Sequence, residues 1–369
     1  MSAAHPFTHE VRAPGRVNLI GEHTDYQDGL CLPIAIEREA VLRYNHIGGS
    51  FVTVRSSQLD GIATVDLSAN FNDDATDPKR VSSAQPAWAR AVAATVAALR
   101  ERGHSVGAFT GELDSSVPLG SGLSSSAAFN VALTLALTEA GGAPLSGTEL
   151  ALVAQRAEHL CGVPCGIMDQ MASVHGYAGH AILVDCQDLS VQPIAMPPDL
   201  AVIVVHSGLP RSLADSAYAD RRFAVEHAAQ TLGLTSLRSA TIDQVRDDPF
   251  ARHVVSENAR VVAFVEALRA GSFERLGLLL DESHTSLAVD FAVSTHELDT
   301  LAAFLRSSGA LGARLTGGGF GGCVIALAPR HDAPAIADEA AARYRGETGL
   351  VPTPFVTTAS GGASHSLIG

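Results

Sequence analysis

Lysine is almost absent from this chain of 369 residues, and its single copy, Lys79, lies in the polar segment NDDATDPKR. Several reactive sites require a lysine in a fixed context, namely the Walker A loop, the protein-kinase strand lysine and the Schiff base of covalent catalysis. The surroundings of Lys79 match none of them. Any anionic ligand must therefore be neutralised by other groups.

Basic charge is scarce in the chain as a whole. Lysine and arginine number 25 against 39 acidic residues, which gives a formal net charge of -14. Binding to nucleic acid or to an anionic membrane requires a basic surface, so we expect neither partner. A signal-like N-terminus is also missing from MSAAHPFTHEVRAPGR, and no apolar run approaches the roughly 20 residues that span a bilayer. We therefore expect a cytoplasmic protein.

Cysteine is sparse, and the spacing of the cysteines gives no sign of a metal site or of a disulfide framework. The five cysteines are scattered along the chain, and Cys161 and Cys165 lack a second pair at zinc-binding spacing. We expect reduced, packed thiols. The remaining composition, 46% hydrophobic and 17% charged, is typical of a folded protein, and the length favours two domains.

The order of predicted elements indicates an α+β fold. Strand patterns dominate the first third, and helices follow over residues 86–103, 129–137 and 148–160. The proline-rich segment QPIAMPPDL then suggests a domain boundary, giving domains of residues 1–198 and 199–369. The second half contains a strand, several helices, a glycine-linked strand pair, a helix and a last strand, TPFVTTA.

The segment GSGLSSSAA, residues 120–128, precedes an apolar helical run. Its glycines allow the backbone to approach a ligand closely, and its serines fall at the helix N-terminus, where free N–H groups and the helix dipole favour an anion. This pattern predicts a phosphate loop without a lysine. The same residues also fit an ordinary capped helix after a turn.

A second motif, GRVNLIGEHTDY, covers residues 15–26. Strand alternation places Arg16 and Asn18 on one face, and Glu22, His23 and Asp25 come just past a glycine. Such an acceptor-rich surface suits the hydroxyl groups of a sugar. A solvated loop is the alternative.

Two further motifs lie in EHLCGVPCGIMDQ, residues 158–170, and LTGGGFGG, residues 315–322. Glu158 ends a helix, which is an unfavourable place for an anion unless a cation is close. Asp169 follows a turn and apolar neighbours, so we expect it to be partly buried with Arg16 as a partner. A structural ion pair and a plain glycine-rich hairpin are the alternatives.

These four motifs, in this order, resemble those of the GHMP kinase superfamily and, within it, the galactokinases. The resemblance extends over nearly the whole chain, from Ala13 to the last predicted strand. It implies a two-domain fold, with an N-terminal domain like ribosomal protein S5 domain 2 and a C-terminal ferredoxin-like domain. It also implies ATP-dependent phosphorylation of galactose at the anomeric hydroxyl, with Mg²⁺ as a cofactor.

The resemblance assigns roles residue by residue. The sugar-binding positions correspond to Glu22, His23, Thr24, Asp25, Gly166 and Tyr218. The phosphate loop of ATP corresponds to Gly120, Ser121, Gly122, Leu123, Ser124, Ser125 and Ser126. Ser126 and Glu158 correspond to magnesium ligands, Asp169 to the catalytic aspartate and Arg16 to its arginine partner.

Some features depart from the family pattern. Gln27 stands where the family usually has asparagine, so a backbone or sugar-edge contact is expected to differ there. The segment from Glu158 to Asp169 is one residue shorter than in well-known members. A kinase for arabinose, galacturonate or N-acetylgalactosamine remains an alternative, as does a non-catalytic sensor of galactose and ATP. We expect a monomer or a weak oligomer.

Overall fold

The structure is a computed structural model, and it describes residues 6–68, 81, 84–209 and 214–369. Lys79 lies outside these residues. The strands are β1 (His9–Asn18), β2 (Leu30–Cys31), β3 (Pro33–His46), β4 (Phe51–Ser56), β5 (Ile62–Asp66), β6 (Phe109–Ser115), β7 (His180–Asp185), β8 (Ser190–Ala195), β9 (Leu200–His206), β10 (Gly312–Thr316), β11 (Cys323–Pro329), β12 (Thr353–Thr357) and β13 (Ser364–Leu367). The helices are α1 (Ala89–Glu101), α2 (Ser125–Ala140), α3 (Gly147–Leu160), α4 (Met168–His175), α5 (Ala214–Thr231), α6 (Pro249–Ala270), α7 (Phe273–Val289), α8 (His296–Ser307) and α9 (Ala333–Thr348), with a short 3₁₀ helix at Leu237–Ser239.

The first half is built on a six-stranded mixed sheet in the order β13-β1-β3-β6-β4-β5, in which β13 comes from the end of the chain. Strand β6, FTGELDS, alternates between buried and exposed residues, as a strand with one covered face should. Helix α2 packs on β1 and β3, and α1 and α3 pack beside it. The apolar run in the middle of α2 follows from this position, because eleven of its sixteen residues are buried.

The second half is built on a four-stranded antiparallel sheet in the order β10-β11-β9-β12. Strand β9, LAVIVVH, is apolar along its length because helices cover both faces of this sheet. Helix α6 begins where the Asp248 side chain accepts a hydrogen bond from the Ala251 N–H, and it ends at Gly271 in the left-handed conformation.

The two halves share buried surface. One apolar cluster contains Val17 of β1 and Leu19, just after it, together with Val204 of β9 and Phe264 of α6. A three-stranded sheet, β2-β7-β8, lies beside them. These contacts hold the motif on β1 against the second half, which fixes the position of the segment that follows β1.

The end of the chain differs from the sequence prediction. The segment predicted as the last strand is β12, but the chain continues through Gly361 and Gly362 to β13, which pairs with β1 in the first sheet. The division at residue 198 stays a prediction. Within the described ranges, no helix is both long and apolar enough to cross a membrane.

Candidate active site

A cavity of about 370 Å³ contains residues from all four sequence motifs. Its lining includes Arg16, Glu22, His23, Asp25, Gly120, Gly122, Ser124, Ser125, Ser126, Glu158, Gly166, Asp169, Tyr218, Gly317 and Gly318. The motifs are separated by up to about 300 residues in the chain, so only the tertiary fold brings them together. The cavity is therefore the candidate active site.

Arg16 and Asp169 form an ion pair in this cavity. Arg16 lies on β1 and is 4% exposed, and its Nε and Nη2 atoms are each 2.8 Å from Oδ1 of Asp169. Its Nη1 donates to the carbonyl oxygen of Gly122 at 2.6 Å. Asp169 is in the first turn of α4, a helix that the sequence patterns did not predict. The predicted pairing is thus present, and it also ties the pair to the glycine-serine loop.

Ser124 connects the loop to the same aspartate. Its backbone has a φ of 63°, in the left-handed region, and its hydroxyl donates to Oδ2 of Asp169 at 2.5 Å. The hydroxyl therefore does not cap α2, although Ser124 precedes the first residue of that helix. As a result, both carboxylate oxygens of Asp169 are held by partners from other segments.

The loop exposes the N-terminus of α2 to the cavity. Gly120 and Gly122 adopt positive φ values of 68° and 80°, which glycine does without strain. Ser125 and Ser126 begin the helix and line the cavity. Since the first N–H groups of a helix have no partner within the helix, this end attracts an anion such as a phosphate.

Two residues of the predicted phosphate loop point elsewhere. Ser121 is buried, and its hydroxyl donates to the carbonyl oxygen of Pro118 at 2.7 Å. Leu123 is also buried and belongs to the apolar cluster shared by the two halves. The side chains of Ser121 and Leu123 therefore pack into the protein, whereas Gly120, Gly122 and Ser124 line the cavity.

Ser126, in the first turn of α2, lies next to Glu158, in the last turn of α3. The Ser126 hydroxyl donates to Oε2 of Glu158 at 3.2 Å, and Gln170 Nε2 donates to Oε1 at 2.9 Å. Burial raises the pKa of Glu158 to about 7, and repulsion from Asp169 adds to the shift. A hydroxyl and carboxylates beside an uncompensated negative charge are a donor set that fits Mg²⁺.

Glu22 is anchored by the second half of the molecule. Its Oε1 accepts from the Gly317 N–H at 2.7 Å and from the Thr316 hydroxyl at 3.0 Å. Nη2 of the fully buried Arg314 lies 3.0 Å from the same oxygen. Sequence reasoning missed Arg314. The available signal was an arginine within an otherwise apolar strand, three residues before the glycine-rich hairpin.

Asp25 and Gly166 are packed directly against each other. A Cβ atom at Gly166 would lie 1.8 Å from Oδ2 of Asp25, so only glycine fits there. The same Oδ2 accepts from the Met168 N–H at 3.2 Å. Burial raises the pKa of Asp25 to about 6, and Asp169 adds to the shift by repulsion.

Aromatic rings close this end of the cavity. The rings of His23 and Tyr218 have centroids 5.5 Å apart, and His23 Nδ1 lies 2.9 Å from the Tyr26 hydroxyl.

Thr24 and Gln27 are buried behind this end of the cavity. The Thr24 hydroxyl donates to the carbonyl oxygen of Leu30 at 2.8 Å, and Gln27 Oε1 accepts from the Leu237 N–H at 3.0 Å. The Thr24 contact stabilises the turn, and the Gln27 contact connects the turn to the 3₁₀ helix at Leu237–Ser239.

An apolar cavity of about 290 Å³ adjoins the first one, and the two share Ser125 and Ser126. Its walls include Trp88 and Phe129, whose rings meet edge to face with centroids 6.3 Å apart. Sequence reasoning missed this cavity. Trp88 is the only tryptophan of the chain and lies at the start of α1, which was the available signal.

Family comparisons match three parts of the chain. A galactokinase galactose-binding signature matches residues 3–45. The GHMP kinases N terminal domain matches residues 89–177, and the GHMP kinases C terminal domain matches residues 264–346. The matched segments contain the motif of residues 15–26, the glycine-serine loop with Asp169, and the glycine-rich hairpin.

Solved structures agree with these matches. A galactokinase from Lactococcus lactis, solved with galactose, is 28% identical over 99% of this chain and 96% of its own, with a TM-score of 0.89. A mevalonate kinase from Methanococcus jannaschii (16% identity, 96% and 99% coverage, TM-score 0.68) and a homoserine kinase from Cytophaga hutchinsonii (19%, 99% and 100%, 0.63) share the fold. The predicted two-domain α+β fold is confirmed. The chain therefore belongs to the GHMP kinases and, within them, to the galactokinases.

Proposed function

We propose that this protein transfers the γ-phosphoryl group of ATP to the anomeric hydroxyl of galactose, giving galactose 1-phosphate. One observation carries the proposal. The Arg16–Asp169 pair lies in a single cavity between the N-terminus of α2 on one side and Glu22 and Asp25 on the other. Phosphoryl transfer depends mainly on positioning and charge neutralisation, and this arrangement offers both.

The nucleotide occupies the side formed by the loop and α2. The α2 N-terminus and the hydroxyls of Ser125 and Ser126 bind the phosphates, and the adjoining apolar cavity with Trp88 and Phe129 receives the adenine ring. Support for this orientation comes from the two serines that line both cavities.

The sugar occupies the other side. The carboxylates of Glu22 and Asp25 accept from adjacent hydroxyls, and Tyr218 and His23 close over the ring. Asp25 is partly accessible from the cavity but otherwise enclosed by protein, so a hydroxyl donor compensates its lost hydration.

Asp169 orients the anomeric hydroxyl and accepts its proton as the new P–O bond forms. Oδ1 is held by Arg16 and Oδ2 by Ser124, which fixes the carboxylate plane. Arg16 also contacts the loop carbonyl of Gly122, so it lies where negative charge develops on the transferred group.

Magnesium is the cofactor that this donor set fits, and Ser126 and Glu158 would hold it. When bound, the ion neutralises charge on the β- and γ-phosphates. It supplies, together with Arg16, the positive charge that a lysine provides in other phosphate loops.

The test is a sugar panel assayed by ADP release, with Mg²⁺ present and absent. We expect galactose to give the highest kcat/KM and the product to be galactose 1-phosphate. Equal or faster turnover of arabinose, galacturonate or N-acetylgalactosamine would reassign the substrate. Binding of galactose and ATP without ADP release would instead favour the sensor.

A further inference from the structure

Three histidines and a glutamate meet on one face of the six-stranded sheet, outside the cavities described above. His9 comes from β1, His46 from β3, His365 from β13 and Glu139 from the last turn of α2. One ligand atom from each of His9, His46 and Glu139 can be chosen so that all three lie within 4.8 Å of one another. The four residues converge although they are up to 356 positions apart in sequence.

The distances between possible donor atoms match those around a four-coordinate ion. Zn–N and Zn–O bonds of about 2.0–2.1 Å in a tetrahedron place neighbouring donors about 3.3 Å apart. Here His46 Nε2 lies 2.8 Å and His9 Nδ1 lies 3.5 Å from Oε2 of Glu139. His365 Nε2 lies 3.1 Å from His9 Nδ1 and 4.0 Å from Oε1 of Glu139.

The chemistry of the four side chains favours the same kind of ligand. Imidazole with one carboxylate suits a transition-metal ion such as Zn²⁺, whereas Mg²⁺ and Ca²⁺ prefer oxygen donors. The Tyr44 hydroxyl donates to Oε2 of Glu139 at 2.6 Å and fixes that carboxylate, as outer contacts of metal ligands commonly do. The His46 side chain is 43% exposed, so an ion can enter from solvent.

We infer that His9, His46, Glu139 and His365 form a structural binding site for a divalent transition-metal ion of the zinc class. The His9 ring is stacked on those of His46 and His365, with centroids 4.1 and 5.4 Å apart, so binding requires His46 and His365 to turn about their χ2 angles until the ion lies in each ring plane. The bound ion would fasten β13, near the end of the chain, to β1, β3 and α2.

The site lies at the opposite end of α2 from the phosphate loop. Ser125 and Glu139 are fourteen residues apart, which corresponds to about 21 Å along the helix. The ion is therefore remote from the phosphoryl-transfer cavity. Variants of His46 should keep their galactose-dependent ADP release, which serves as a check that they are folded.

The experiment is calorimetric titration of Zn²⁺ into the untagged full-length protein, without nucleotide, compared with His46→Ala, Glu139→Gln and His331→Ala. His331 has an 83% exposed side chain elsewhere on the surface and is the matched control. We expect one tight site in the wild type and in His331→Ala. Binding should be at least about tenfold weaker in the other two variants, because even outer contacts of metal ligands change affinity 10- to 100-fold.

Thermal unfolding gives a second readout. One equivalent of Zn²⁺ should raise the midpoint of the wild type and of His331→Ala clearly more than that of His46→Ala. The inference is overturned if the wild type binds Zn²⁺ no more tightly than His46→Ala. Equal losses in His331→Ala would also contradict it, since they would indicate scattered surface histidines.

Discussion

At the scale of single residues, the candidate active site concentrates negative charge that the protein alone does not balance. Glu158 and Asp25 both have raised pKa values, about 7 and about 6, because they are enclosed and lie near Asp169. Arg16 is the cation that pairs directly with Asp169 in the cavity. The site is therefore destabilising until ligands arrive, as is common where function requires buried charge.

Replacing Glu158 by glutamine should change the pH dependence of stability. Glu158 holds its proton more tightly when folded (pKa about 7) than when unfolded (4.5), so the wild type loses stability as pH rises through this window. Glutamine cannot ionise, so Glu158→Gln should gain up to about 3 kcal/mol relative to the wild type between pH 4 and pH 8. Urea unfolding at several pH values, without Mg²⁺ or nucleotide, measures this difference. A pH-independent difference would contradict the assigned burial of charge.

Replacing Gly166 by alanine should weaken galactose binding selectively. The new Cβ would displace the Asp25 carboxylate, with which it overlaps at 1.8 Å. We expect the KM for galactose to rise by about tenfold or more, which corresponds to about 1.4 kcal/mol, while the KM for ATP is unchanged. Gly346→Ala is the control, because its Cβ position meets no atom within 4 Å apart from its chain neighbours and the backbone of its own helix. Equal effects on both substrates would argue against a sugar role for Asp25.

At the scale of elements, the long and strongly patterned segments were predictable. The apolar run of α2 and the buried strand β9 were found because their patterns extend over a whole element. Helix α4 was missed because it has only eight residues and no capping side chain, and its formation depends on packing against α3 and β1. Strand β13 was missed because SHSL has no apolar pattern and becomes a strand only by pairing with β1.

Strand β13 gives a prediction at this scale. Deleting residues 364–369 removes the pairing of four β1 residues with β13 and leaves β1 as an edge strand. We expect the midpoint of thermal unfolding to fall by roughly 5–10 °C, while ADP release at 25 °C is retained because β13 does not line either cavity. Deleting only Gly369 is the control. An unchanged midpoint would mean that the pairing contributes nothing to stability.

At the scale of the whole molecule, the two halves are joined through the motif of residues 15–26. Arg314 in β10 donates to the carbonyl oxygens of Asn18 and Leu19 at 2.9 and 2.7 Å, and its Nη2 lies 3.0 Å from Oε1 of Glu22. The motif residues were identifiable from sequence, since four patterns occurred together. Their partners across the interface were not, because no local pattern relates residues almost 300 positions apart.

Removing Arg314 should therefore affect both stability and sugar binding. Arg314→Leu leaves the buried Glu22 without its cation, which costs about 3–5 kcal/mol, and it removes one of the three contacts that hold Glu22 Oε1 in the cavity. Urea unfolding and the KM for galactose measure the two effects. Arg275→Leu, which removes a half-exposed arginine 3.1 Å from Glu282, should change stability by no more than about 0.5 kcal/mol. Similar losses in both variants would contradict a special role for the buried pair.

The central claim is that Asp169 positions and deprotonates the sugar hydroxyl in a site held together by the whole fold. Its most direct test is galactose-dependent ADP release by Asp169→Asn, with galactose affinity measured by calorimetry on the same preparation. The account predicts that the variant binds galactose within a few-fold of the wild type and loses nearly all turnover, by about 10² or more. A turnover close to that of the wild type would contradict it.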